Sequence, residues 1–252
     1  MKILQGKQRR PRRVMLYGTH GIGKSTWAAG APRPVFVQTE RGLDDIGPPR
    51  FPLARTWADV MQALAELYSA PHDFGTLALD TLDWTERLIW ADVCESHKVA
   101  NIEEIGYGKG YVYASTRWRD LLEGLEAIRR DKKMTIILLA HATVAKFENP
   151  ETDNYDRYAP CLHKLAAAMV QQWCDEVLFA TYRVYVKQTK EGFDKKTTKG
   201  LGTGERIIHT VERPAWQAKN RLGLPDDLPL PRENGWAEYA KYLPSAPEAP
   251  PA

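Results

Sequence analysis

Gly18-Thr19-His20-Gly21-Ile22-Gly23-Lys24-Ser25, with Thr26 behind it, is the stretch that decides how this chain reads. It follows the apolar run Arg13-Val14-Met15-Leu16-Tyr17 and leads into residues 24–29, which stop at Gly30 and Pro32. The run is predicted to be a buried strand and the segment after the loop a short helix. A G-x-x-x-x-G-K-S loop in that setting makes a phosphate cradle. Its glycines let backbone N–H groups turn inward, and the helix start adds positive potential. On this reading Gly18 through Thr26 hold the phosphates of ATP, Lys24 reaches the β- and γ-phosphates, and the Ser25 hydroxyl ligates Mg2+.

Outward from the loop, strands and helices alternate. Strands are predicted at 34–40, 75–81, 134–141 and 176–186, and helices at 57–69, 81–98, 113–130 and 162–173. A Gly-rich loop is expected over 98–110 and a polar loop over about 143–158. Alternation of this kind predicts a mostly parallel sheet with helices on both faces. Beyond residue 176, Tyr182–Gln188 and Glu205–Val211 read as an antiparallel hairpin with a long Gly/Lys tip. The expected organisation is one domain over 1–243, with its core at about 13–186, an interface segment at 187–243 and a disordered Pro/Ala tail at 244–252.

Two carboxylates have the spacing to serve the loop. Asp80 closes the apolar run Leu77-Ala78-Leu79 and is expected beside the Mg2+ shell. Asp83 is a rival for that place, but it falls in the following helix and reads more readily as a first-turn acid. Glu40 ends the second strand, next to the loop if the two strands are neighbours; it is either a general base or a solvated strand-end acid.

Composition narrows the class. An apolar content of 43%, with eight Trp and eleven Tyr, supports a packed core. No apolar run reaches the length of a membrane helix, and the charged N-terminus lacks an apolar stretch, so a cytoplasmic protein is expected. Three cysteines suit a reducing compartment, and Cys94 with His97 lacks the second pair that a zinc site needs. Net charge is only +3, but Arg9, Arg10, Arg12 and Arg13 cluster before the first strand. Residues 183–206 carry seven Lys/Arg against three acids. Each group reads equally as a phosphate-contacting surface or as a solvated edge.

Several segments resemble RecA-type recombinases: Val35–Ile46 with its Glu40 and later Leu-Asp, Thr76–Thr81, Ile136–His141 with the Glu-Asn-Pro-Glu-Thr loop after it, and Gln217–Pro225. The chain is most similar to phage-encoded RecA-like ATPases of the single-strand annealing and recombination group. That resemblance implies an α/β fold with a RecA-like P-loop NTPase core. It implies Glu40 as water-activating base, Asp80 as Mg2+ acid, and His141 at a sensor position where RecA has an amide. Lys219 and Arg221 would act in trans on a neighbour's ATP in a homo-oligomer. RecA's N-terminal helix and linker have no counterpart in the twelve residues before Arg13, so a ring, a looser filament or a partner-dependent assembly stays open.

Rings interleaved with cations suit single-stranded DNA. Tyr107, Lys109 and Tyr111, with Tyr113, form one such group; Lys146, Phe147 and Arg157, with Tyr155, form another. Tyr111 and Tyr113 also read as core-facing helix residues. The leading expectation is a DNA-dependent ATPase in phage recombination or annealing, working in the host cytoplasm, with a phage single-strand binding protein as a possible partner. A helicase loader or motor, an ATP-gated DNA scaffold and a small-molecule phosphotransferase are the alternatives.

Overall fold

The computed structural model describes residues 10–191 and 195–244 together with Ile3, Gln5 and Gly6; within it the side chains of 185–203 are left undescribed. Arg9, the tip of the basic hairpin and the tail from 245 onward, expected to be disordered, lie outside the described residues.

β1 (Arg13–Gly18) lies at the heart of the sheet because it is apolar on both faces. It pairs in parallel with β4 (Thr135–Phe147) on one side and β6 (Glu176–Glu191) on the other. β3 (Thr76–Asp80) pairs with β4, and β2 (Pro34–Gln38) with β3, also in parallel. The order across the sheet is β2-β3-β4-β1-β6-β7-β9, with β7 at Lys195–His209 and β9 at Asp227–Pro229. One strand therefore separates Asp80's strand from the glycine-loop strand, and two separate β2 from it. The condition attached to Glu40, that its strand neighbour the loop strand, is not met.

Strand alternation sorts the core into two layers. Met15, Tyr17, Leu77, Leu79, Ile136 and Leu138 pack toward α2 (Trp57–Ser69), α3 (Leu82–His97), α4 (Lys109–Asp131) and α5 (Lys164–Trp173). Val14, Leu16, Ala78, Ile137 and Leu139 pack on the other face toward α1 (Lys24–Ala29) and α6 (Gly235–Ala240). Trp27 of α1 meets Trp236 and Tyr239 of α6 at ring separations of 4.7 and 5.6 Å. The result is a mostly parallel sheet flanked by helices, with an antiparallel hairpin near the C-terminal end.

Four expectations about elements need correction. The polar loop at 143–158 is mostly strand: β4 runs on to Phe147 and turns back as β5 (Tyr155–Pro160), pairing from Ala142↔Pro160 to Phe147↔Tyr155. Its alternating exposed and half-buried residues form a two-stranded ribbon, and polarity alone hid them. Most of the stretch expected as a long tip is also strand, since β6–β7 pairing continues to Glu191↔Lys195, the last described residues on either side. The Gly-rich loop ends early, because α4 begins at Lys109. Past residue 210, β8 (Lys219–Asn220), β9 and α6 went unread; all three are short, and short elements carry little periodicity.

Candidate nucleotide site

The loop after β1 wraps as the motif requires. Gly23 caps α1 with φ of 105°, a left-handed conformation that favours glycine. Lys24 is buried, and its Nζ donates to Gly18 O at 3.2 Å and Thr19 O at 3.1 Å. Burial lowers the Lys24 pKa, with Asp80 the leading influence in the other direction. Ser25 Oγ donates to Asp80 Oδ2 at 2.7 Å. Asp80 is itself buried, and that burial raises its carboxyl pKa.

Glu40 reaches this group despite its distant strand. Thr39 fastens the ends of β2 and β3: its N–H donates to Asp80 O at 2.7 Å, and its hydroxyl donates to Thr81 O at 2.8 Å. The Thr81 N–H returns a bond to Thr39 Oγ1 at 2.9 Å. Glu40, the next residue, lies with Oε1 3.7 Å from His141 Nε2, too long for a hydrogen bond. Burial raises the Glu40 pKa, against the pull of His141.

His141 lies within β4, opposite Gly18, rather than after the strand. Asp83 holds it, a role not assigned to that acid from sequence. The helical spacing that marks Asp83 as a first-turn residue also points it at β4, but its partner lies 58 residues away and no local signal announces it. Bonds from His141 bring the Asp83 pKa below its ordinary value although burial pushes it up. His20, the second variable residue of the loop, stacks on His141 with ring centres 3.9 Å apart, and the His141 charge lowers its pKa.

The remaining predicted site residues separate into two places. Lys219 and Arg221 lie beside the start of β6, at the other end of the sheet from the glycine loop. Lys219 Nζ donates to Gln171 O, Gln172 O and Cys174 O at 2.9, 3.2 and 2.5 Å, closing the C-terminus of α5. Arg221 is more than half exposed, 3.9 Å from Asp175. The other place is the nucleotide end of the sheet. Tyr107 is fully exposed there, at φ of 50° between Gly106 and Gly108. Lys109 opens α4 rather than sitting in a loop. Tyr111 is packed, stacking on His163 at 4.0 Å, meeting Trp90 edge-on at 5.5 Å and hydrogen-bonding Glu103. Lys146, Phe147 and Arg157 share the β4–β5 ribbon, with the Arg157 guanidinium 4.0 Å from the Phe147 ring centre.

The model of the AAA domain family (AAA_24) matches residues 10–222. The chain belongs to this family. With the glycine loop at the end of a central parallel strand, it is a nucleotide-binding P-loop ATPase. A relative, the SPbeta prophage-derived uncharacterized protein YorG of Bacillus subtilis (strain 168), is 24% identical over 151 residues. The match takes in 58% of this chain and 44% of that protein, so the chain spans under half of its relative's length. Among solved structures, the RadB recombinase aligns over 90% of each chain with 11% identity and a TM-score of 0.48. No helix among the described residues is long and apolar enough to cross a membrane.

The residues present suit Mg·ATP. A buried ammonium turned onto loop carbonyls, a hydroxyl against a buried carboxylate, and a buried Thr19 hydroxyl with no partner among the described residues form one group of donors and acceptors. Hard oxygen ligands of this kind, one or two per site, are what Mg2+ takes alongside phosphate.

Proposed function

We propose that this chain is a DNA-dependent ATPase that binds single-stranded DNA in phage recombination or strand annealing. The observation that carries the hydrolytic part is the 2.7 Å meeting of Ser25 with Asp80, with Glu40 clipped to Asp80's strand end by Thr39. Residues 18–26 hold the triphosphate, and Lys24 gives up its loop carbonyls for the β- and γ-phosphates. Ser25 and Asp80 hold Mg2+, which supplies charge neutralisation at the phosphoryl oxygens. Glu40 accepts the proton of the attacking water, and His141, fixed by Asp83, hydrogen-bonds that water or the γ-phosphate.

The DNA part rests on placement. α4 runs back to β4 through residues 132–134, so its N-terminus and the exposed Tyr107 lie at the nucleotide end. The β4–β5 ribbon projects from that same end with Lys146, Phe147 and Arg157. Exposed rings among cations bind single strands with little sequence preference. The prophage origin of the relative supports the phage setting, and the same reading takes the working form to be a homo-oligomer with ATP between subunits. Of the two trans candidates, Arg221 has the exposure to reach a neighbour; Lys219 would first give up three carbonyls.

The test is phosphate release with and without single-stranded DNA across protein concentrations. Stimulation by DNA that steepens with concentration is the expected result. A flat response to DNA sinks the DNA part, and no turnover in wild type beyond that of Lys24→Ala sinks the ATPase part.

A further inference from the structure

Arg206 belongs to β7, two strands from β1, yet its side chain reaches the glycine loop. Its Nη1 donates to Ile22 O at 3.0 Å. The same nitrogen sits 2.8 Å from where a Cβ on Gly23 would be, so the tip of the guanidinium closes on the loop where Gly23 takes a φ of 105°. The other terminal nitrogen, Nη2, is buried and has no hydrogen-bond partner among the described residues.

Peptide geometry gives this contact a consequence. Across a trans peptide the carbonyl and the next N–H point in opposite directions. A guanidinium on Ile22 O therefore fixes the Gly23 N–H toward the other side of the loop, where the motif receives phosphate. A charged donor on the carbonyl also polarises that peptide and strengthens its N–H as a donor.

We propose that Arg206 is a positioning residue of the phosphate cradle: it clamps the glycine loop from the base of the β6–β7 hairpin, and by holding Ile22 O it keeps the Gly23 N–H turned toward bound nucleotide. The inference rests on the nucleotide reading above and adds the element that sets its affinity. It also ties the basic hairpin to the nucleotide. Tyr182, opposite Arg206, starts the irregularity in β6–β7 register that extends to Val184, so the guanidinium stands where the regular sheet gives way to the projecting ribbon.

The experiment is Mg·ADP binding to the full-length chain by calorimetry, with ATP turnover and melting temperature measured alongside. Arg206→Met is expected to raise Kd about tenfold or more, as for loss of one charge-assisted hydrogen bond. KM should rise with it while kcat falls much less, and the nucleotide-free melting temperature should stay near wild type. Arg206→Lys, which keeps one charged donor but not the fork, should fall between the two and serves if the Met variant does not fold. An unchanged Kd in either variant overturns the proposal. So does a lost affinity matched by an equal loss of nucleotide-free stability, which marks a structural residue. Lys24→Ala separates the two readings: if wild type binds Mg·ADP no better than that variant, the nucleotide site itself is wrong; if it binds well and Arg206→Met equals it, only the clamp is.

Discussion

Asp83 grips His141 at two points: Oδ1 accepts the backbone N–H at 3.1 Å, and Oδ2 stands 2.9 Å from the ring Nδ1. One carboxylate thus fixes both the strand position and the ring orientation of the imidazole. With Nδ1 on the carboxylate, Nε2 faces Glu40 at 3.7 Å.

Asp83→Asn should therefore act through His141. An amide can still accept from the backbone N–H but brings no negative charge to the ring Nδ1. ATP turnover is expected to fall about ten- to a hundredfold, in the range of a lost positioning contact to an acid–base group, while Mg·ADP affinity holds. A pH–rate profile that moves in this variant supports action through the imidazole. An unmoved profile with a lower melting temperature would leave Asp83 a packing residue.

Glu40→Gln should keep nucleotide binding and lower turnover by about 10²- to 10⁴-fold, the usual contribution of a general base. The wild-type pH dependence has a definite sign. Burial raises the Glu40 pKa, so as pH falls the carboxylate is protonated earlier than an ordinary Glu. The acid limb of kcat should then lie above the usual value near 4.3. Turnover that persists undiminished in Glu40→Gln would favour an ATP-gated scaffold.

Tyr107 and Tyr111 should part company. Tyr107 touches solvent alone, so Tyr107→Ala is expected to cost about 1–3 kcal/mol of single-strand affinity and almost nothing in stability. Tyr111, stacked on His163 and edge-on to Trp90, should lose stability when truncated, by about 1–3 kcal/mol. Fluorescence binding to a single-stranded oligonucleotide and thermal melts, run on both variants, check the pair. Equal DNA loss in both would mean that the packed ring also contacts DNA.

Glu86 offers a stability test independent of catalysis. It is buried, it accepts the His163 N–H at 2.9 Å, and burial lifts its pKa from 4.5 to about 7. The folded state thus holds a proton that the unfolded chain releases. Its stabilising contribution is complete below the unfolded value and is lost as pH rises toward the folded one. Glu86→Gln keeps the acceptor and removes the ionisation, so it should melt higher than wild type at pH 8, by an amount on the order of 1–3 kcal/mol, and match it at pH 5. A variant that melts lower at pH 8 would refute the assignment.

What the sequence disclosed, and what it hid, follows from the range of each signal. The loop, α1 and α2 were readable to the residue because glycines, caps and apolar spacing act locally; Thr56 and Asp59 at the head of α2 form a capping box. Asp80 was readable because an acid at the end of an apolar strand is a local break in pattern. The route by which Glu40 reaches the site was not, since it depends on Thr39 bonding to Thr81 across a strand pairing. Asp83 and Arg206 were missed for the same reason: each meets its partner far along the chain, 58 residues for one and 184 for the other. Lys219, picked by resemblance, has its cation on three carbonyls within the chain, contacts that no local pattern announced.

β4 joins what sequence reading had kept apart. A single extended rod runs from His141, among the buried carboxylates, to Phe147 on the ribbon, six residues or about 20 Å away. Extended backbone braced by pairing from Ala142 to Phe147 transmits a push with little give. The imidazole and the aromatic tip are thus parts of one continuous strand, with no loop between them to absorb a displacement of either.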